Sequence, residues 1–287
     1  ADYGWVAKMR AEMAIAAGFV NQVEKYKTLF ADEKAYFIEN FVTSDGKMRR
    51  GEQSVCLYAL YLDLLPHSAS VNAVTDQLLE NIKRNGNRLQ TGFLGTKIIL
   101  DTLTKVGQNQ VAYTLLFQEQ NPSWLYTVNQ GATTVWERWN SYTVADGFAD
   151  VGMNSFNHYA YGAVAEWMFA TMAGIGNSQP GFKRICLAPA PDRRLPMVRA
   201  EYKSAYGPIK VASELREESW QYSFAIPANT TAEIRIPTGG AHITVDGMEV
   251  SALSRDRDGI VLCRTENDIA VFDAAASKHT ILVALVQ

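Results

Sequence analysis

The chain has 287 residues, a formal net charge of −3, 47% hydrophobic and 20% charged residues, a globular balance long enough for one large domain or two ordinary ones. No Lys/Arg run of the kind that tracks nucleic acid is present, and no stretch of about 18 apolar residues that would span a membrane, so neither nucleic acid nor a membrane is expected as a partner. Cys56, Cys186 and Cys263 are far apart and lack metal-ligand spacing; the expectation is three buried free thiols.

Up to residue 178 apolar residues recur at helical spacing. The first helix is predicted over Tyr3–Ala17, with Trp5, Met9, Met13, Ala16 and Ala17 on its inward face and Gly18 at its end. A second runs from Asn21 to Asn40, with Tyr26, Leu29, Phe30, Phe37 and Ile38 apolar, and Ser44-Asp-Gly46 turns the chain. Further helices are expected over Gln53–Leu65, Ser68–Asn85 (Val71, Val74, Leu78, Leu79 and Ile82 inward), Gly95–Val106 and Gln108–Phe117, and a long last one over Ser155–Ala173 that stops at Gly174. Short connections between helices of this size indicate paired antiparallel helices, as in an α/α solenoid or barrel.

One connection breaks the rhythm. Residues 118–154 show no sustained helical period yet carry Trp124, Tyr126, Trp136, Trp139 and Tyr142. Loops this long are usually functional or disordered, and so many aromatics argue for order. From residue 179 the pattern changes to short alternating runs at Ile185–Leu187, Val198–Tyr202, Ile209–Leu215, Trp220–Ile226, Ala232–Ile236, His242–Val245, Ile260–Leu262, Ile269–Phe272 and Thr280–Val286. Gly, Pro, Asn and Asp punctuate them, the signature of an antiparallel β-sandwich. Residues 1–178 and 179–287 are therefore expected to form a helical and a β domain.

The chemistry concentrates in Gly131-Ala-Thr-Thr-Val-Trp-Glu-Arg-Trp139. Glycoside hydrolysis uses two carboxyl groups flanking the bond, in a site commonly walled by aromatic faces. Glu137, between Trp136 and Trp139, has both features: a carboxylate for general base or acid work and indoles to exclude water. A simpler reading is a loop carboxylate paired with Arg138. His158 is placed on the first turn of the last helix, capped by Ser155, where it and Asn157 would meet a ligand hydroxyl; a structural histidine is the competing reading. Glu166 would share its face two turns on, as a structural pair. Asp101, Asp146 and Asp150 are candidate acids by type alone, and His67, His242 and His279 look incidental. No compact metal-ligand cluster, GxGxxG, P-loop or GxSxG is present, so no metal or other cofactor is expected.

Thr91-Gly-Phe-Leu-Gly-Thr96, Pro122-Ser-Trp124, the segment 131–139, Asn157-His-Tyr-Ala-Tyr-Gly-Ala-Val164, Pro180-Gly-Phe182 and Ser204-Ala-Tyr-Gly207 together resemble the bacterial α-L-rhamnosidases of glycoside hydrolase family 78, in that family's order. The resemblance implies an (α/α)6-type helical barrel followed by a C-terminal β-sandwich, and hydrolysis of terminal α-L-rhamnosides with inversion. It implies Glu137 as the general base on the attacking water and His158 as a rhamnose contact, with the Thr91–Thr96 turn and Trp124 shaping the site; Trp136, Trp139 and Asn157, placed beside them by the reading above, complete the expected substrate-binding residues. It further implies a rhamnose-containing glycoside or oligosaccharide as partner. Inversion requires the second carboxyl about 6.5–9.5 Å away.

The barrel of that family has more helices than are read here, and its general acid precedes the first of them. The expectation is therefore the second half of the catalytic barrel plus the β-sandwich. Exposed inner helix faces would then meet a missing N-terminal half or a second copy of the chain. A catalytically incomplete carbohydrate-binding fragment and another α/α-barrel sugar enzyme are the alternative functions.

Overall fold

A computed structural model of the chain describes residues 2–217 and 219–284. They divide into two compact units, one up to Val164 and one from Ala165.

The first unit is built from helices joined as hairpins: α1 (Asp2–Ala16), α2 (Val20–Phe41), α3 (Gln53–Tyr61), α4 (Ser68–Arg84), α5 (Phe93–Lys105) and α6 (Asn109–Leu116). The expected inward face of α1 is not the one buried. Gly4, Ala7, Ala11 and Ala14 face the fold, while Trp5, Met9 and Met13 are exposed. Close helix approach decides this: a Cβ on Gly4 would stand 3.1 Å from the Cβ of Glu33 on α2, and a large side chain there would force the hairpin apart. On α2 only Val23 and Phe37 are fully buried. α3 ends short of the expected Leu65, because Leu62 leaves helical geometry and Asp63 adopts φ 57°. The core forms where α3, α4 and α5 meet, around Leu57, Val74, Leu78, Ile82, Ile99 and Leu103. Val74, Leu78 and Ile82 are the i, i+4, i+8 stripe of α4, as expected; Val71 and Leu79 are half-buried. His67, read as incidental, caps α4 by accepting a hydrogen bond from the Ser70 N–H at 3.3 Å.

The long connection is ordered. It contains α7 (Trp124–Asn129), capped by Ser123, whose hydroxyl accepts from the Tyr126 N–H, and a hairpin of β1 (Tyr142–Thr143) and β2 (Gly147–Phe148). Neither element is long enough to leave a period in the sequence. The long last helix is not formed as expected. Residues 155–159 are extended or turned, Ala160–Ala163 is a 3-10 turn, α8 (Val164–Trp167) is a single turn, and Met168–Met172 is π-helical. Ser155 does not cap a helix; its hydroxyl accepts from Asn157 N–H in a local turn. The two-turn spacing between His158 and Glu166 therefore does not exist.

The second unit is a β-sandwich with short accessory turns. Its strands are β3 (Ile175–Asn177), β4 (Arg184–Leu187), β5 (Met197–Ser204), β6 (Gly207–Arg216), β7 (Ser219–Ala225), β8 (Thr231–Pro237), β9 (Ile243–Val245), β10 (Met248–Glu249), β11 (Ile260–Glu266), β12 (Ile269–Ala275) and β13 (Lys278–Ala284), with α9 (Arg255–Asp258) before β11. The last two residues of the expected strand Thr280–Val286 lie outside the described residues. Among the described residues one sheet has the order β10-β9-β13-β7-β6-β5 and the other β11-β12-β8-β4-β3. Pairing is antiparallel throughout except for β4 with β8. Alternation places Trp220, Tyr222 and Phe224 of β7 and Ile281 and Val283 of β13 in the core of one sheet, and Ala232, Ile234 and Ile236 of β8 in that of the other. β3 and β10 were not expected; three and two residues are too short for an alternation to register.

The cysteines do not behave alike. Cys56 is buried, and burial pushes its thiol up to about 12, whereas Cys186 is half-buried and Cys263 exposed, contrary to the expectation of three buried thiols. Cys263 lies on β11 next to the bulge that shifts its register against β12.

Two positions in the second unit test its construction. Gly174 has φ 74°, and a Cβ there would fall 2.1 Å from the Pro189 nitrogen. Gly174→Ala is expected to lower unfolding stability by more than ~1 kcal/mol through φ alone, with the backbone clash adding to it. An unchanged urea midpoint would refute the tight approach. Asp192 is buried and accepts from the Arg194 N–H and Nε at 2.9 and 2.8 Å and from Nη2 at 2.8 Å. The Arg194 hydrogen bonds hold its carboxyl below the usual carboxylate range against the opposing effect of burial. The resulting stability is present above the unfolded carboxyl pKa and is lost as pH falls through the lower folded value. Asp192→Asn should cost about 1–2 kcal/mol at neutral pH, screened by the half-exposed guanidinium, and the difference from the unaltered chain should vanish in acid. Thermal melts across pH 2–7 read this directly.

Candidate functional site

The site is assembled in the first unit by two irregular segments, 134–137 within the long connection and 155–158 just after it. Glu137 N–H donates to the Ser155 carbonyl at 2.8 Å, and His158 N–H donates to the Val135 carbonyl at 2.8 Å. The Thr134 hydroxyl donates to the Phe156 carbonyl. Ser155 N–H in turn donates to Glu137 Oε2 at 2.7 Å, so the main chain of one residue, Ser155, grips both the backbone and the carboxylate of Glu137. The residues singled out from sequence, Glu137 and His158, are thus brought onto adjacent segments joined by a small ladder of backbone hydrogen bonds. The simple pairing of Glu137 with Arg138 is not formed: among the described residues neither has an ion-pair partner, and Glu137 Oε1 accepts no hydrogen bond.

Glu137 opens onto a cavity of about 570 Å3 lined by residues 89–93, Asn121, Pro122, Arg138, Trp139, Asn140 and Tyr161. Its wall is aromatic. Trp139 stacks on Tyr161 with centroids 3.8 Å apart and planes inclined 12°, and Trp124 meets Trp139 edge-on at 5.6 Å. Trp124 Nε1 donates to the Tyr161 carbonyl at 2.9 Å, Trp139 Nε1 to the Thr91 carbonyl at 3.0 Å, and Asn121 Nδ2 to the Trp139 carbonyl at 2.6 Å. The rings are therefore held by their polar edges as well as by their faces. The turn before α5 is equally fixed. Thr91 and Thr96 are buried with their hydroxyls 2.8 Å apart, and Gly95 is needed because a Cβ would meet Ser54 Oγ at 2.8 Å and Thr91 Cγ2 at 2.9 Å. Burial pushes the Tyr161 phenol above its ordinary pKa, and the neighbouring Arg138 guanidinium partly offsets this.

The remaining candidates fall into different places. Trp136 is buried, does not line the cavity, and packs edge-on against Phe156 with centroids 5.2 Å apart. Trp124 supports the wall from behind. Asn157 is exposed beside His158. Asp101, Asp146 and Asp150 do not line the cavity; Asp146 closes the β-hairpin by accepting from Thr143, and Asp150 accepts from Gly152 N–H. Glu137 is the one carboxylate among the described lining residues. Phe93 and Tyr161 were not singled out as site residues, although both lie in the quoted segments; an aromatic at a helix start reads from sequence as ordinary core. Among the described residues no group of three His, Cys, Asp or Glu side chains is arranged to hold a metal ion.

Helical hairpins carry an aromatic-walled cavity with a carboxylate, and a β-sandwich follows them in the chain. Residues 2–172 match the model of the bacterial alpha-L-rhamnosidase 6 hairpin glycosidase domain, and residues 174–251 that of the bacterial alpha-L-rhamnosidase C-terminal domain. The chain belongs to the bacterial α-L-rhamnosidase family. It is 42% identical over 234 residues to an alpha-L-rhamnosidase of Formosa agariphila, covering 81% of this chain and 25% of that protein. It is 39% identical over 277 residues to one of Streptomyces avermitilis, covering 96% and 26%. The crystal structure of a Streptomyces avermitilis alpha-L-rhamnosidase complexed with L-rhamnose superposes with a TM-score of 0.88 at 34% identity, over 98% of this chain and 26% of that one. The chain thus spans about a quarter of the length of these relatives.

Trp139→Phe leaves the buried Thr91 carbonyl with only the longer 3.3 Å bond from the Thr96 hydroxyl. A loss of about 1–3 kcal/mol in urea unfolding is expected. Equal stability would mean that the indole N–H does not anchor the wall.

Proposed function

We propose that this chain carries the general-base side of an inverting α-L-rhamnosidase that removes terminal α-L-rhamnose from rhamnosides. The observation that supports this best is Glu137: a carboxylate with one oxygen anchored by Ser155 N–H and the other open, facing an aromatic-walled cavity of about 570 Å3. That volume falls in the range of small-molecule sites. Anchoring one oxygen fixes the carboxylate plane, and the open Oε1 is the atom that would take a proton from the attacking water. The faces of Trp139 and Tyr161 suit the apolar C–H side of a deoxy sugar, and His158 would hydrogen-bond a ring hydroxyl. Trp124 and Trp136 act by supporting the wall and the ladder, and Asn157 borders the sugar.

Because Glu137 is the one described carboxylate lining the cavity, the acid that protonates the leaving group is assigned to a further segment of the catalytic domain. The exposed large side chains of α1, Trp5, Met9 and Met13, offer a surface for such a segment or for a second copy. In this reading residues 1–178 contribute to catalysis and 179–287 form the accessory β domain.

The test is release of p-nitrophenol from p-nitrophenyl α-L-rhamnoside. Glu137→Gln should lower the rate by about 10²–10⁴. Proton NMR during turnover should show the β-anomer of rhamnose first. Unchanged release in the variant, or the α-anomer first, refutes the assignment. The same single carboxylate favours a second reading, a rhamnose-binding part without turnover, for which L-rhamnose would bind while no p-nitrophenol is released.

A further inference from the structure

His158 is oriented by two rings and one peptide N–H. Phe93, the first residue of α5, has its centroid 4.9 Å from that of the imidazole, with planes inclined 17°. Tyr159 has its centroid 5.1 Å away, with planes inclined 15°. Both arrangements are offset stacks. Ala160 N–H lies 3.2 Å from His158 Nδ1. A backbone N–H can only donate, so Nδ1 presents its lone pair and the neutral ring carries its proton on Nε2. Among the described residues Nε2 has no protein partner. The His158 backbone is fixed as well, through its N–H to the Val135 carbonyl, two residues before Glu137.

Phe93 couples this imidazole to the cavity. Its ring meets Tyr161 edge-on at 5.3 Å and 62°, Tyr161 stacks on Trp139, and all three rings line the cavity that Glu137 opens onto. An unbraced, half-buried histidine would sample several rotamers, and a ligand would have to order it on binding. We propose that Phe93 is a positioning residue of the sugar site, holding His158 so that Nε2–H is offered as a hydrogen-bond donor to a hydroxyl oxygen of the bound deoxy sugar. The proposal rests on the rhamnoside reading for the identity of the ligand, but not for the tautomer or the stack.

The test uses the full chain, labelled with nitrogen-15, and L-rhamnose as the probe. Long-range proton–nitrogen spectra should show His158 protonated at Nε2, assigned by its absence in His158→Gln. Phe93→Leu should shift the imidazole carbon-bound protons by removing the ring current, and weaken L-rhamnose binding by about threefold to tenfold, the factor that one aromatic contact corresponds to. Phe93→Tyr should restore both, and matched melting temperatures would separate positioning from misfolding. An Nδ1–H tautomer, or a Phe93→Leu variant with an unaltered His158 spectrum and unaltered affinity, overturns the proposal alone. No L-rhamnose binding by the unaltered chain overturns the rhamnoside reading and the ligand part of this proposal together, while the tautomer spectrum still decides the orientation.

Discussion

The site depends on the main chain of one residue, Ser155. The Ser155 carbonyl accepts the Glu137 backbone N–H, and the Ser155 N–H binds the Glu137 carboxylate. A charge-assisted bond from a backbone donor is stronger than a neutral one and cannot rotate away, because the donor is part of the chain itself. The same pairing sets the register that puts His158 opposite Val135. Orientation of the two polar residues is therefore a property of main-chain pairing, with side-chain contacts refining it.

Around this ladder the aromatic residues form one connected series. His158 stacks on Phe93, Phe93 meets Tyr161, Tyr161 stacks on Trp139, and Trp139 meets Trp124. Both indoles of the series spend their N–H on a carbonyl, Trp124 on Tyr161 and Trp139 on Thr91. That leaves the faces and edges of the rings as the chemical surface. A wall of this kind discriminates by shape and by C–H contact, so polar discrimination falls to polar lining groups such as Glu137, Arg138 and Asn140.

Much of this could be read from sequence because long periodic segments and strongly alternating strands leave clear patterns. The stripe Val74, Leu78, Ile82 gave α4, and the alternation at 220–226 gave β7. The segment 131–139 points to Glu137 through its composition alone. What failed did so for identifiable reasons. On α1 large apolar side chains and alanines compete for the inward face, and only the approach of α2 decides between them. Residues 155–173 carry enough apolar positions for a helix, yet the ladder with 134–137 holds 155–158 out of helical geometry, and the remainder changes from 3-10 to α to π geometry in 13 residues. Phe93 carries no signal in the sequence, because what distinguishes it is the imidazole that stacks on it. Tertiary pairing overrides local propensity in each of these cases.

The ladder also closes an excursion. Beyond the buried Ser141 the chain makes the β1–β2 hairpin and returns at Asn154. Asn154 Nδ2 donates to the Ser141 carbonyl at 3.0 Å, and Ala149 N–H donates to the same carbonyl at 3.0 Å. The tip, with Val144, Phe148, Val151 and Met153, is exposed. A loop tied at its neck transmits little of its own length or composition to the residues below the knot. Doubling such a loop costs on the order of 0.6 kcal/mol in closure entropy. Insertion, deletion or exchange of apolar residues at the tip would accordingly leave the carboxylate and the imidazole where they are.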